Sequence, residues 1–549
     1  MGEYLLMPKL DMSMKEGTIV SWLVGKGDDI KKGEYAVEVE TGKVSIEVDN
    51  TSLSGKVLEV YYEEGETVEV NTPIMFIGSA DDRIPTKEES LEYFRSIKRQ
   101  NSAAFDDHGY DYDVIIIGSG QAGYTFAMKA SEYTDRIAII ESGTFGGVCL
   151  NRGCIPSRFF GKRSEILSKI NSSGSFGLEI GDSAVDYAKM KKNKDDMVFR
   201  LRQSMKHTLS GMCDVYESGG VLLAPNIIKT QGGIISGKYI VIASGSKREE
   251  GKIASDGSVK IISTEEFFDV EDLPKRAVFM GTSPYLAEQA VMWKNFGVEV
   301  TLCGSGNYTH EAYLDRKIRK DLKKSGIKLM EGDPSEIKCG GVIFSGGEEV
   351  LCEVAVYENA RVANTVPSEV GFVMTEDGFY MVDEGFLTSV DGIYAIGDAN
   401  GLSLTAQGAG SDAEELAGIL FEGKEPMRKV YPKCLNVIPK AAYVGRSEQE
   451  LERLGIPHIS AKRSYSSHPA AMASGEEGYV KIVCDDTYGE ILYCQVVAEC
   501  ADEIISVISL AMRNELTVDE LAGSVFAHPT MTELIAMLCS ELSEKIKVK

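Results

Sequence analysis

Positive charge is scarce in this chain. Against 84 Asp and Glu stand 58 Lys and Arg, a formal net charge of −26 over 549 residues. A polyanionic partner would be repelled, which disfavours nucleic acid and anionic membrane surfaces. Long apolar runs are missing too: no stretch approaches the ~18 apolar residues of a membrane span, and no membrane association is expected. The opening Met1-Gly2-Glu3-Tyr4 has no basic region followed by an apolar stretch, so no secretion signal is expected. Regular cysteine spacing is absent as well. The 11 cysteines are an odd number and all but two are scattered, which fits a reducing cytoplasm in which one pair is special. No solenoid-type repeat is found, and no metal site is expected. What remains is ordinary: 43% apolar and 26% charged residues, in a chain long enough for about three or four domains.

Residues 1–79 read as a separate all-β unit. Tyr35-Ala36-Val37-Glu38-Val39-Glu40 and Val44-Ser45-Ile46-Glu47-Val48 alternate as half-buried strands do. Between them Thr41-Gly42-Lys43 is a turn with a lysine at its tip. The unit is acidic, with 15 Asp and Glu against 7 Lys and Arg. Residues 80–110 are polar and charged and read as a linker, within which 87–94 could form a short helix. If flexible, such a linker spans roughly 30 Å r.m.s.. From Tyr112 the pattern changes to strand, glycine turn, helix. Residues 113–117 are a buried parallel strand, 124–133 a helix, and 137–140 a second strand ending in Glu141. A second unit of this kind begins at Ala277-Val278-Phe279-Met280-Gly281, and the apolar run 392–396 leads to Gly397-Asp398. The expected architecture is multidomain. After the all-β unit come two α/β Rossmann-like nucleotide-binding domains, over 111–270 with 376–429 and over 271–375. An α+β domain over 430–549 closes the chain.

The turn Gly118-Ser119-Gly120-Gln121-Ala122-Gly123 places backbone N–H groups and a helix N-terminus where a pyrophosphate can bind. Glu141, about twenty residues on, would accept hydrogen bonds from a ribose. Such a fingerprint alone is weak. Just after it comes Cys149-Leu150-Asn151-Arg152-Gly153-Cys154, followed by Ile155-Pro156-Ser157. Two buried helical cysteines are common enough in cores. Placed here, they point to a dithiol set against a cofactor.

With the flanking Gly146-Gly147, this stretch resembles the redox motif of the flavin disulfide oxidoreductases, and among them the dihydrolipoamide dehydrogenases. The resemblance implies that the nucleotide is FAD and that Asp398 hydrogen-bonds its ribityl chain. It implies that Cys149 exchanges with the dithiol substrate while Cys154 sits nearer the flavin. Phe526-Ala527-His528-Pro529-Thr530-Met531-Thr532-Glu533 resembles the family's C-terminal segment. There His528 is the base, oriented by Glu533 and reaching the disulfide of the other subunit of an obligate homodimer; the C-terminal domain is then the dimerisation domain. An imidazole suits that task because its charge changes near neutral pH. Met7-Pro8-Lys9-Leu10, the strand pair around Lys43 and Gly65-Glu66-Thr67-Val68 resemble a lipoyl domain, which implies lipoate in amide linkage on Lys43.

The resemblance breaks in the second unit, where NAD should bind. Of the fingerprint in Gly281-Thr282-Ser283-Pro284-Tyr285-Leu286-Ala287-Glu288 only Gly281 survives; Ser283 and Leu286 replace glycines, and Gly304 stands where an acid is expected. Glu358-Asn359-Ala360-Arg361-Val362-Ala363-Asn364 replaces a Gly-Arg-Arg-Pro-Asn type segment. NAD is therefore doubtful. Arg158 replaces a lysine that pairs with a glutamate beside the flavin, and Glu288 is retained, so an Arg158–Glu288 pair is expected. Lys440 stands where the family has glutamate, with no functional account.

The reading is a dihydrolipoyl dehydrogenase of a lipoate-dependent multienzyme system, serving a 2-oxoacid, acetoin or glycine-cleavage complex. The resemblance implies that it oxidises dihydrolipoyl groups of its own or a partner's lipoyl domain, with NAD+ as the family's acceptor. One alternative is a flavoprotein passing electrons to a small redox protein; another is a lipoyl-carrying scaffold with a vestigial flavin domain.

Overall fold

The computed structural model describes residues 3–8, 16–31, 33–41, 44–49, 54–69, 72–79, 82–91, 109–181, 183–249, 253–309, 311–436 and 440–548. The N-terminal unit consists of two four-stranded antiparallel sheets. Their alternating strands turn Ile19, Val37, Val39 and Ile74 into one core and Val57, Met75 and Ile77 into another. Strands Tyr35–Thr41 and Val44–Asp49 pair with Thr41 opposite Val44, on either side of Gly42-Lys43. Lys43 itself lies outside the described residues. The unit reaches past residue 79. Tyr61 donates to the Pro85 carbonyl at 3.1 Å, Lys87 stands 3.4 Å from the Tyr62 ring centroid, and residues 87–91 are helical. The start of the stretch read as linker is thus docked on the β unit.

The first nucleotide-binding sheet has seven strands, with Tyr112–Ile117 at its centre. Ile137–Ile140, Asp214–Tyr216, Gly233–Ile242 and Ile393–Ala395 extend it in parallel, and the antiparallel hairpin of Val221–Ala224 and Ile227–Thr230 forms an edge. Its Val- and Ile-rich strands are buried on both faces, as a parallel sheet requires. Helices Gln121–Ala130 and Ala406–Glu422 cover one face. The first helix starts three residues earlier than its apolar pattern suggests, because Gln121, Ala122 and Gly123 of the glycine turn are its first turn.

The second sheet has five parallel strands in the order Lys260–Ser263, Val354–Tyr357, Arg276–Met280, Glu299–Cys303, Lys328–Met330. Its first strand falls inside the stretch assigned by sequence to the first domain, 111–270, so the second unit begins earlier than residue 271. The strand is four residues long and its partner lies far along the chain, so nothing local marks the pairing. A two-stranded ribbon, Ser246–Arg248 with Arg361–Ala363, carries the chain between the two units. The C-terminal domain is a five-stranded antiparallel sheet backed by helices Ala501–Arg513, Val518–Ala522 and Glu533–Val548. No helix among the described residues is long and apolar enough to cross a membrane.

Candidate active site

The glycine turn is tightly made. Gly118 has φ +106°, and a Cβ there would collide with the Ala243 carbonyl. A Cβ at Gly123 would strike the Gly118 carbonyl, so this glycine sets how closely helix and strand approach. Gly120 differs: a Cβ there would have only Gly147 Cα, at 3.9 Å, within reach. Gly120 is also the N-cap, with no side chain capping the helix, which leaves the first-turn amides facing the cleft. Glu141 is pinned beside them. Its Oε2 accepts from the Ser119 amide at 2.8 Å and hydroxyl at 2.6 Å, and Oε1 from the Gly143 amide at 2.7 Å. Ser119 was not singled out by sequence; its signal was its place inside the fingerprint.

Cys149 lies on the short helix Gly147–Asn151, and Cys154 is the first residue of the 18-residue helix Cys154–Asn171. Asn151 holds the turn between them. Its Nδ2 donates to the carbonyls of Phe145 and Gly147 at 2.9 and 2.8 Å, and its Oδ1 accepts from Arg202. The two thiols share a hydrogen bond, which splits their acidities. That bond pulls Cys154 below the ordinary thiol range, while the same bond and then burial push Cys149 up. The N-terminus of an 18-residue helix also favours an anion at Cys154.

Both cysteines line a cleft of about 2150 Å³ that runs from the glycine turn and Glu141 past Asp398 to Tyr285 and Glu288. Asp398 accepts from the Ser246 hydroxyl at 2.7 Å, and Arg361 donates to the same hydroxyl at 2.6 Å. Glu288 is buried, and desolvation raises its pKa. It accepts from the Ser157 hydroxyl and is hydrogen-bonded to Asn436. The expected Arg158–Glu288 pair is not formed. Arg158 instead approaches Asp502 at 3.6 Å, and Lys440 reaches the same carboxylate at 3.9 Å. Asp502 sits in the first turn of helix Ala501–Arg513, a position no local pattern connects with residue 158. Lys440 thereby gains an account: with Arg158 it brackets a new acid.

His528 stands apart from the cysteine cleft. Its side chain is 74% exposed, with Nδ1 2.9 Å from Glu533 Oε1. Glu533 Oε2 accepts from the Thr530 amide at 2.8 Å, and that bond, followed by the His528 contact, lowers its pKa. A second imidazole, overlooked in the sequence, approaches from the other side. Buried His468 has Nε2 3.9 Å from Glu533 Oε2. The repeated His-Pro pair, His468-Pro469 and His528-Pro529, was the signal that could have found it. Both histidines and Glu533 line a pocket of about 680 Å³.

Residues 112–413, more than half of the chain, match the model of the pyridine nucleotide-disulphide oxidoreductases. The chain belongs to that family. Residues 431–538 match the family's dimerisation domain, and residues 3–77 match the biotin-requiring enzyme model, which covers biotinyl and lipoyl units. Curated relatives include the dihydrolipoyl dehydrogenases of Mycoplasma pneumoniae (28% identical over 449 residues, 78% of this chain and 98% of the relative) and Bacillus subtilis (28% over 463 residues, 77% and 96%). The mitochondrial enzyme of Pisum sativum is 28% identical over 476 residues, covering 81% of this chain and 94% of its own length. Among solved structures, the flavoprotein disulfide reductase RclA of Escherichia coli superposes with a TM-score of 0.69 at 22% identity. LpdA of Mycobacterium tuberculosis gives 0.71 at 21%. Each covers 78% of this chain and 99% of the solved one, and they show the shared fold. The family makes the protein an FAD-dependent oxidoreductase. The first glycine turn fits that cofactor: its amides are uncapped, the space beside Gly120 is open, and Glu141 and Asp398 line the same cleft.

Proposed function

We propose that this protein oxidises dihydrolipoyl groups at the Cys149–Cys154 pair. The observation that carries the proposal is the placement of Cys149 and of Cys154, the first residue of its helix, in one cleft with the glycine turn and Glu141, in a chain that bears its own biotinyl/lipoyl-type unit. A dihydrolipoyl thiolate attacks Cys149 Sγ of the disulfide. The S–S bond breaks and Cys154 leaves as a thiolate, which its hydrogen bond and helix N-terminus stabilise. The second dihydrolipoyl thiol then attacks its own mixed-disulfide sulfur. This closes the lipoyl ring and releases Cys149, which keeps a proton. Two electrons have moved from dihydrolipoyl to the cysteine pair, and one proton remains to be taken up. The partner subunit's His528, held by its own Glu533, is placed in the role of that base. Gly118, Gly120, Gly123, Glu141 and Asp398 would hold FAD, whose chemistry when bound is to take two electrons from the dithiol.

Lys43 is the proposed attachment point of lipoate. The protein's substrates are then lipoyl groups of its own or a partner's lipoyl domain, within a lipoate-dependent multienzyme system in a reducing cytoplasm. Adding dihydrolipoamide anaerobically to the FAD-loaded enzyme should bleach its visible flavin absorbance within seconds, and Cys149→Ser should abolish the change. A flavin that responds to glutathione but not to dihydrolipoamide would overturn the reading.

A further inference from the structure

We infer that the second nucleotide-binding unit does not bind a nicotinamide dinucleotide, although it keeps the βαβ fold. The inference rests on the reading that electrons enter at the cysteine pair, and it concerns where they cannot leave.

The chain carries its own comparison, because the first unit has every element of the cradle. In the first unit the helix begins after an uncapped glycine and offers its opening amides. In the second, helix Pro284–Asn295 begins after Ser283, whose hydroxyl accepts from the Leu286 amide at 3.1 Å. Pro284, the first helical residue, has no N–H. Of the first three helical positions, only the Tyr285 amide is left to meet a phosphate. The anion-binding capacity of a helix N-terminus lies in those amides, so the site has lost most of it.

The packing has changed in the same direction. Gly123 allows close helix–strand approach in the first unit, and Leu286 takes its place in the second, fully buried. A Cβ at Gly281 would lie 2.8 Å from Leu286 Cδ1, so this side chain fills the floor of the turn. Glu141 directly follows the second strand of the first unit, Ile137–Ile140, and Gly304 directly follows the corresponding strand Glu299–Cys303. Gly304 has φ +154°, and a Cβ there would sit 2.8 Å from Thr282 Cγ2 and 3.1 Å from the Gly281 carbonyl carbon. The loop after the strand is folded down onto the turn, and a Cβ at Gly306 would likewise meet Thr282 Oγ1 at 2.7 Å. No acidic side chain fits at residue 304 without moving that loop. Asp333 reaches this corner, but it binds the Ser305 amide and hydroxyl of the folded loop rather than the glycine turn. The charged ribose acceptor, all but one of the opening helical amides and the open floor are lost together. Losing the acceptor alone weakens binding roughly ten- to hundredfold.

Equilibrium dialysis of the FAD-loaded enzyme against NAD+, NADH, NADP+ and NADPH tests this, with a dihydrolipoyl dehydrogenase relative as the positive control. The expected result is no saturable binding below about 1 mM for any of the four, while the control binds. Stoichiometric binding at micromolar concentration would overturn the inference. Dihydrolipoamide is then added to the same dialysed sample. Bleaching of the flavin without dinucleotide binding upholds both readings, whereas failure to bleach is a failure of the dithiol reading and leaves the dialysis result to stand on its own.

Discussion

Glu288 is a carboxyl held away from water beside helix Cys154–Asn171, and its protonation can be read from stability. Desolvation puts its folded pKa above the unfolded one, so the folded state binds the proton more tightly. The wild type therefore loses stability as pH rises from the ordinary carboxylate range up through the raised value. Glu288→Gln keeps an acceptor for Ser157 and removes the charge. It should raise the melting temperature at pH 8 by about 1–3 °C, a gap that closes near pH 4. Scanning calorimetry across that range checks it; a variant less stable at pH 8 would contradict the assignment. The cysteines allow a second titration. In the reduced enzyme one thiolate should persist below the ordinary thiol range, seen in ultraviolet thiolate absorbance. Cys149→Ala removes the hydrogen bond that is the main cause of the lowered Cys154 value, so the titration should move to higher pH. An unmoved midpoint would show that the bond has no such effect.

The first βαβ unit and the glycine turn assign different tasks to neighbouring glycines. Gly120→Ala places a methyl into open space, so the protein should fold with an unchanged melting temperature as apoenzyme yet bind FAD at least tenfold more weakly. Gly123→Ala drives a methyl into the Gly118 carbonyl and should lose both FAD and stability. Flavin-to-protein absorbance ratios and thermal melts separate the two. These positions were legible in the sequence because the fingerprint, the strand before it and Glu141 lie within one short stretch whose spacing is dictated by the turn. The edge strand Lys260–Ser263 and the ribbon joining residues 246–248 to 361–363 were not legible, since pairing between distant segments leaves no local trace. The same limit applies to Arg158. Its residue type and position invited a partner at Glu288, but Asp502 is brought to it by helix Ala501–Arg513, which packs on the distant strands Ala441–Gly445 and Ile491–Val497.

At the scale of the molecule, the central feature is a separation. The thiols line one cleft, while His528 stands exposed beside a different pocket. A base that serves the dithiol from that position has to come from a second copy of the chain, which is what the match to a dimerisation domain supports. His528→Gln alone should slow dihydrolipoamide oxidation by about 10²–10⁴-fold, the usual contribution of a positioned base, with FAD retained. The most direct test mixes His528→Gln subunits with Cys149→Ser subunits and isolates the heterodimer through two affinity tags. If each site takes its cysteines from one chain and its histidine from the other, the heterodimer contains one intact site and turns over dihydrolipoamide at about half the wild-type rate. If both groups act within one chain, every site in the heterodimer is crippled, and activity that stays at the level of the single variants would contradict the account.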